Sequence, residues 1–152
     1  MSRELNNGRD ESLGASTATP GTGACVTKAA IVWPGTYPPS CPPLVPDFRG
    51  GRFYRMVRSV PAGARDFRPI IRDPDLCECH GLSVFDSLST IRKMAAANRA
   101  MRRHRPMQAY ISVTDGVVKS TFGGKGHYTW WVPVAVNPCS LSWCEASSEG
   151  EK

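Results

Sequence analysis

The sequence predicts an α+β protein: a small, mostly antiparallel sheet with one main helix and flexible segments at both ends. Three observations lead to this fold class. Short runs rich in β-branched and aromatic residues recur between residues 53 and 136, one amphipathic helical run interrupts them, and proline and glycine concentrate toward the N-terminus. A chain of 152 residues is long enough for one domain with a hydrophobic core and too short for two ordinary domains.

Composition divides the chain into three parts. Residues 1–46 are rich in proline, glycine and serine and have too little apolar content to pack alone, which predicts a flexible segment. Within it, residues 29–33 are apolar and could dock as an extra edge strand. Residues 47–143 form the predicted α+β domain, and residues 144–152 are predicted to be an acidic, flexible C-terminus.

Two predicted strands and a long loop begin the domain. Residues 53–60 are rich in strand-forming residues, and their alternation places Arg55 on one face between Phe53 and Val57. Residues 61–80 form a loop of mixed charge, and long loops in compact domains are often functional. Residues 81–85 are predicted to be the second strand.

One helix follows these strands. Asp86, Ser87 or Ser89 can cap a helix that runs to about Arg103, and Pro106 lies just beyond its predicted end. Helical spacing predicts that one side of it faces the core, and that side comprises Leu88, Ile91, Met94, Ala95, Asn98 and Met101.

Three further strands complete the predicted sheet. Residues 108–113 and 117–121 are predicted to form a hairpin, because the Asp115-Gly116 pair favours the positive φ angles of a tight turn. After a glycine-rich loop at 123–126, residues 127–136 form a last strand. Its interruption at Pro133 suits an edge or a bulge.

The sequence favours a cytoplasmic protein. No apolar run approaches the roughly 20 residues that a membrane span requires, and residues 1–14 are polar and charged, unlike a secretory signal. In a reducing compartment the six cysteines are expected to be free thiols. The pattern leaves open whether Cys77, Cys79, Cys139 and Cys144 are free, bridged or metal-bound.

Two features bear on metal or anionic partners. Cys77, Cys79 and His80 lie close together, but the adjacent Cys79 and His80 cannot easily both reach one tetrahedral ion beside Cys77, so no metal site is expected.

The formal net charge is +6, and residues 49–125 contain 15 Lys and Arg against 6 Asp and Glu. This local excess favours an anionic partner.

Four short segments carry a resemblance to known proteins. They read Phe-Tyr-Arg-Met-Val at 53–57, Asp-Phe at 66–67, Gly-Leu-Ser-Val-Phe at 81–85 and His-Tyr-Thr-Trp at 127–130. The set, which spans about residues 52–136, resembles a group of short, uncharacterised bacterial proteins. That resemblance implies a compact, stand-alone domain and no established activity.

A more distant resemblance is to ADP-ribosyltransferase-like domains. In those domains a first strand carries an arginine for the dinucleotide phosphates and a later strand carries a serine, and Arg55 and Ser83 could occupy these positions here. A guanidinium on a rigid strand binds phosphate bidentately, and NAD becomes a possible cofactor. The chain departs from the usual acidic motif of that family, because Asp115 is the one carboxylate between Asp86 and Glu145.

These observations predict a candidate site for a nucleotide or NAD-like anionic ligand. His127, flanked by aromatics and glycines, could act as a general base or bind a ribose. We expect His127 and Ser83 as catalytic residues and Arg55 and Tyr128 as ligand-binding residues, with Arg55, Ser83 and His127 converging on one cleft. Whether the protein is an enzyme is left open.

Three alternatives stand beside this site. Arg55 could instead form a structural ion pair with Asp66 or Asp86. The protein could be a non-catalytic nucleic-acid-binding module centred on a basic helix, and the cations of that helix are Arg92, Lys93, Arg99, Arg102, Arg103 and Arg105. The same charges could instead form a solvated outer helix face, whose last-turn arginines complement the helix dipole. The protein could also be a protein-interaction domain without a small-molecule site; the oligomeric state is not predicted.

Overall fold

Six strands and one α-helix form the ordered framework of residues 30–147, the part of the chain that the computed structural model describes. The strands are β1 (Gly51–Val57), β2 (Leu82–Phe85), β3 (Arg105–Ile111), β4 (Val117–Ser120), β5 (His127–Trp131) and β6 (Cys144–Glu145), and the helix is α1 (Leu88–Ala97). Short 3-10 helices lie at Ala64–Phe67, Cys77–His80, Arg99–Met101 and Pro138–Ser140. The predicted α+β class is confirmed.

All six strands belong to one antiparallel sheet in the order β4-β5-β2-β1-β3-β6. β1 pairs with β3 at seven positions, from Gly51 opposite Ile111 to Val57 opposite Arg105. In contrast, β1 pairs with β2 at one position, Tyr54 opposite Phe85. The sheet therefore consists of two well-paired halves that meet at a short seam between β1 and β2.

The predicted hairpin of residues 108–121 is wrong, because β3 and β4 lie in different halves of the sheet. The turn itself forms: Asp115 N donates to Ser112 O at 3.1 Å, and Gly116 has a φ of 133°. Trp130 Nε1 donates to Asp115 O at 3.0 Å, which ties the turn to β5. The Asp-Gly pair thus forms a local turn, whereas side-chain packing on the sheet decides which strands pair.

Helix α1 is shorter than predicted. It starts after Ser87, whose Oγ accepts a hydrogen bond from Thr90 N at 3.2 Å, so Ser87 is the cap among the three candidates. It ends at Asn98, which has extended backbone angles and whose side chain accepts from Ala100 N at 3.0 Å. Asparagine side chains compete with the helix for backbone donors, and here that competition stops α1 before Arg99.

The predicted core side of the helix is confirmed at Leu88, Ile91 and Ala95, which are buried. Met94 is 37% exposed. Asn98 and Met101 lie beyond α1 and are not buried, because the chain has left the helix at these positions. The last two therefore do not belong to the core.

Core residues pack on both faces of the sheet. On one face the buried residues come from five strands and the loops that cover them: Phe53, Phe67, Leu82, Val84, Ile111, Val118 and Trp130. On the other face, Leu88 and Ile91 of α1 pack on Tyr54 and Phe85. The paired residues of the seam between β1 and β2, Tyr54 and Phe85, both belong to the cluster beneath α1.

The segment before residue 47 is attached to the domain over its described part. A disulfide joins Cys41 to Cys77. Tyr37 Oη donates to Val132 O at 3.4 Å, and Val134 N donates to Val32 O at 2.9 Å. Residues 30–33, the described part of the predicted edge strand, contact Val134 through the Val32 carbonyl and do not form a strand. Residues 1–29 lie outside the described chain.

Residues just after the predicted end of the domain, residue 143, also contact the sheet. Cys144 and Glu145, predicted to begin a flexible end, pair with Gln108 and Met107 of β3, and Arg105 binds Glu145 at 2.7 Å. Residues 148–152 lie outside the described chain. Within the described residues, no helix is long and apolar enough to span a membrane.

The disulfide corrects the expectation of free thiols for Cys41 and Cys77, while Cys79, Cys139 and Cys144 are free. Because 36 residues separate Cys41 from Cys77, breaking the bond should cost about 3–4 kcal/mol of unfolding free energy through chain entropy. We expect the double variant Cys41→Ser, Cys77→Ser to unfold at clearly lower urea than the oxidised protein. The matched control Cys144→Ser should unfold like the wild type. Equal midpoints for the double variant and the wild type would contradict this role of the disulfide.

Candidate functional site

A cavity of about 930 Å³ lies at the seam where β1 and β2 stop pairing. Arg55 and Met56 of β1 and Leu82 and Ser83 of β2 contribute to its wall. Further wall residues come from the segment between these strands, residues 58–79, and from the chain after α1, residues 98–104. The volume is in the range of about 300–1,000 Å³ that is typical of small-molecule sites.

Arg55 is at the centre of this arrangement. Its Nε donates to Asp66 O at 2.7 Å, its Nη1 donates to Ser83 O, and its guanidinium carbon lies 5.7 Å from the centre of the Phe67 ring. The guanidinium thus bridges β1 to β2 just beyond their single backbone pair. The structure places Arg55 beside the backbone carbonyl of Ser83, and both residues line the cavity.

The partner of Arg55 differs from the ion pair considered as an alternative. Arg55 binds the carbonyl of Asp66, whereas the Asp66 carboxylate accepts from Arg58 N at 2.8 Å and Gly63 N at 2.9 Å. Asp86 forms no ion pair with Arg55 among the described residues. Burial lowers the pKa of Arg55 to about 10, and the nearby charge of Asp66 offsets part of that shift. Arg55 therefore remains a cation at neutral pH.

Four more arginines line the cavity, all exposed and all from the segment after β1: Arg58, Arg65, Arg68 and Arg72. The carboxylates of the same wall are Asp66, which is buried and bonded to the backbone, and the half-buried Glu78. Five arginines and two carboxylates give this wall a positive potential that attracts anions.

The cavity wall also contains apolar side chains. They are the thioethers and aromatic rings of Met56, Phe85, Met94, Met101 and Phe122. Asn98 and Met101, which were predicted to face the core, line the cavity instead. The wall therefore combines cationic and apolar residues.

His127 does not join Arg55 and Ser83 in the cavity. Phe85 opposes both Tyr54 and His127, so these three residues share one face of the sheet, and Ser83, two residues before Phe85, shares it too. Arg55, next to Tyr54, belongs to the other face and contacts Ser83 through the backbone carbonyl. The predicted convergence of all three residues on one cleft is therefore wrong. Shifting the pairing of β1 with β2 by one residue would move the Arg55 side chain to the other face of the sheet, and the sequence pattern does not determine this pairing.

The surroundings of His127 are aromatic. Its ring makes edge contacts with Phe85 and Phe122, at centroid distances of 5.2 and 5.3 Å, and Nδ1 lies 3.1 Å from Thr121 Oγ1. Burial lowers the pKa of His127, and a hydrogen bond with the backbone of Thr121 offsets part of that shift. At neutral pH the His127 ring is therefore uncharged. It contacts Phe85 and Phe122, two residues that line the cavity.

Tyr128 lies on the face opposite His127. Its ring contacts Phe53 edge-on at 5.5 Å and packs against the core, away from the cavity wall. Ser83, by contrast, is exposed and lines the cavity. Of the four predicted site residues, Arg55 and Ser83 share a site, while the functional roles of all four stay predictions.

The basic helix of the nucleic-acid alternative is divided among several elements. Of its six cations, Arg92 and Lys93 lie on α1; Arg99 lies on the following 3-10 helix, and Arg105 starts β3 and is paired with Glu145. Asn98 causes the division, because it ends α1 before Arg99. A continuous basic helix face is therefore absent from this part of the described chain.

The Cys77, Cys79 and His80 cluster has other partners. Cys77 is in the disulfide, and the buried His80 has Nε2 at 2.8 Å from Pro74 O and its ring edge-on to Tyr37. Across residues 30–147, no three His, Cys, Asp or Glu side chains are grouped so as to hold a metal ion.

Comparison of the chain with protein-family models, with curated proteins and with solved structures finds no match. The resemblances to short bacterial proteins and to ADP-ribosyltransferase-like domains therefore stay predictions.

Sequence reasoning missed most of the cavity wall. Long loops were expected to be functional, and the 61–80 loop supplies Arg65, Arg68, Arg72 and both wall carboxylates. Phe122, next to the glycine-rich loop, was not considered as a site residue. The signals that could have found them were the arginine spacing in the loop and an aromatic residue before consecutive glycines.

His127 should make stability depend on pH. Its pKa in the folded state lies below the ordinary 6.5, so the unfolded state binds protons more readily and stability falls as pH drops below about 6.5. We expect the loss of thermal midpoint between about pH 7.5 and about pH 5.5 to be smaller in His127→Gln than in the wild type. His104→Gln serves as the control and should keep the wild-type loss. An identical pH profile for His127→Gln and the wild type would refute the shift.

Proposed function

We propose that the protein binds a phosphate-bearing small molecule, of the nucleotide or NAD-like kind, in the cavity at the β1–β2 seam. One observation carries the proposal. A guanidinium has five N–H donors, and Arg55 directs donors at two backbone carbonyls, while no other donor of Arg55 reaches an acceptor among the described residues. Arg55 also lines the cavity, where an anionic ligand can use the remaining donors.

Charge supports a phosphate over a neutral ligand. A partly buried guanidinium is costly unless an anion compensates it, and the nearest carboxylate, on Asp66, is held by Arg58 N and Gly63 N. Arg68 and Arg72 add further cations on the same wall. A guanidinium on a strand offers a planar, fixed fork to phosphate oxygens, which a flexible lysine does not.

The proposal is one of binding, with no reaction step. Ser83 lies within the site through its carbonyl bond to Arg55, and Glu78 provides a carboxylate on the wall. The catalytic roles of Ser83 and His127 and the use of NAD stay predictions. The nucleic-acid alternative gains no specific support, since its cations do not form one surface element.

Isothermal titration with ADP and with inorganic pyrophosphate tests the proposal. Arg55→Met should weaken binding of both probes on the order of 10- to 100-fold, because charge-assisted hydrogen bonds to the phosphate are lost. The matched control is Arg52→Met, which removes an exposed arginine from the same strand but outside the cavity. It should bind both probes like the wild type.

Arg68→Met is a second variant, useful because Arg55 also bridges two strands and its loss affects folding. Arg68 is exposed, so its replacement should leave the thermal midpoint unchanged while weakening both probes by about 2- to 5-fold. Wild-type protein that binds neither probe, or an Arg55→Met variant that is folded and binds as the wild type does, would overturn the proposal.

A further inference from the structure

Phe122 has a backbone conformation that large residues rarely adopt. It follows β4, and its φ of 51° lies in the left-handed region, as do the φ angles of the next two residues, Gly123 and Gly124, at 86° and 69°. Glycine adopts this region without steric cost, whereas a bulky residue there requires surroundings that hold it. Phe122 is thus a large aromatic residue with a backbone conformation that glycine adopts more readily.

The ring of Phe122 is supported on one side and open on the rest. It meets the edge of His127 at 5.3 Å, and His127 meets Phe85 of the core at 5.2 Å. Phe122 is nevertheless 66% exposed and lines the cavity. The core therefore supports, through His127, an aromatic surface that is presented to the cavity.

The residues that line the cavity define the chemistry of a suitable ligand. They include the cations Arg55 and the loop arginines, and the apolar groups Phe122, Met94 and Met101. Thioethers and aromatic rings both make favourable contacts with flat π-systems. A molecule with a phosphate at one end and a planar ring at the other offers a partner to both kinds of residue.

We propose that the ligand is a nucleoside phosphate whose base stacks on Phe122 while its phosphates bind Arg55. The inference rests on the proposed phosphate site and narrows it, since it makes Phe122 the residue that distinguishes nucleotides from other phosphates. An aliphatic phosphate would meet the cationic residues equally well but would not gain from a flat aromatic partner.

Titrations with ADP, pyrophosphate and decyl phosphate separate the contributions of base, phosphate and alkyl chain. In the wild type, ADP should bind on the order of 10-fold more tightly than pyrophosphate, as expected for one stacked base. Phe122→Ala should weaken ADP by the same order and leave pyrophosphate unchanged. Phe122→Trp should keep the preference for ADP.

Tyr110→Ala is the matched control, because Tyr110 is an aromatic residue that is 63% exposed and is not part of the cavity wall. It should leave the affinities for all three probes unchanged. Thermal midpoints close to the wild type would show that the exposed Phe122 can be replaced without loss of the fold.

Some outcomes would overturn the role of Phe122 alone. They are equal affinity for ADP and pyrophosphate, wild-type ADP affinity in Phe122→Ala, or decyl phosphate binding as tightly as ADP and with the same dependence on Phe122. In each of these cases retained pyrophosphate binding would leave the proposed phosphate site standing. Absence of binding of all three probes would overturn both proposals.

Discussion

The contact of Arg55 with the carbonyl of Ser83 is the interaction on which the arrangement of the molecule depends. The sheet has two halves, β4-β5-β2 and β1-β3-β6, and the backbone joins them at the pair Tyr54 and Phe85. Arg55 adds a side-chain hydrogen bond across the same seam. The cavity lies beside this seam, where Arg55 and Met56 of β1 and Leu82 and Ser83 of β2 line it.

The segment that forms the cationic wall is fixed near both of its ends. Near its start, the buried Asp66 carboxylate accepts from Arg58 N and Gly63 N and so closes a tight loop. At its end, Cys77 is held by the disulfide to Cys41, and its carbonyl accepts from Trp131 Nε1 at 2.9 Å. Between these anchors Arg68 and Arg72 are exposed.

Local patterns in the sequence predicted local structure well. Alternation identified β1 and placed Arg55 between Phe53 and Val57, and the serines before the helix included its cap, Ser87. The same patterns did not predict which strands pair or which cysteines form a disulfide. Asp115-Gly116 forms its turn but joins strands that do not pair, and the proline-rich segment is held by Cys41, whose partner is 36 residues away. Pairing and cross-linking depend on the whole sheet, which no short window of sequence contains.

The difference between local patterns and strand pairing also explains which parts of the predicted site the structure contains. Arg55 reaches the Ser83 carbonyl because β1 and β2 are neighbours, and His127 belongs to the next strand, β5. The register places the side chains of Ser83 and His127 on one face and that of Arg55 on the other. His127 packs between Phe85 and Phe122, two residues that line the cavity. A neutral imidazole in this place supports an aromatic wall, because it fills the gap between two rings and bonds to Thr121. His127 thus contacts the cavity wall through both Phe85 and Phe122, although it does not line the cavity itself.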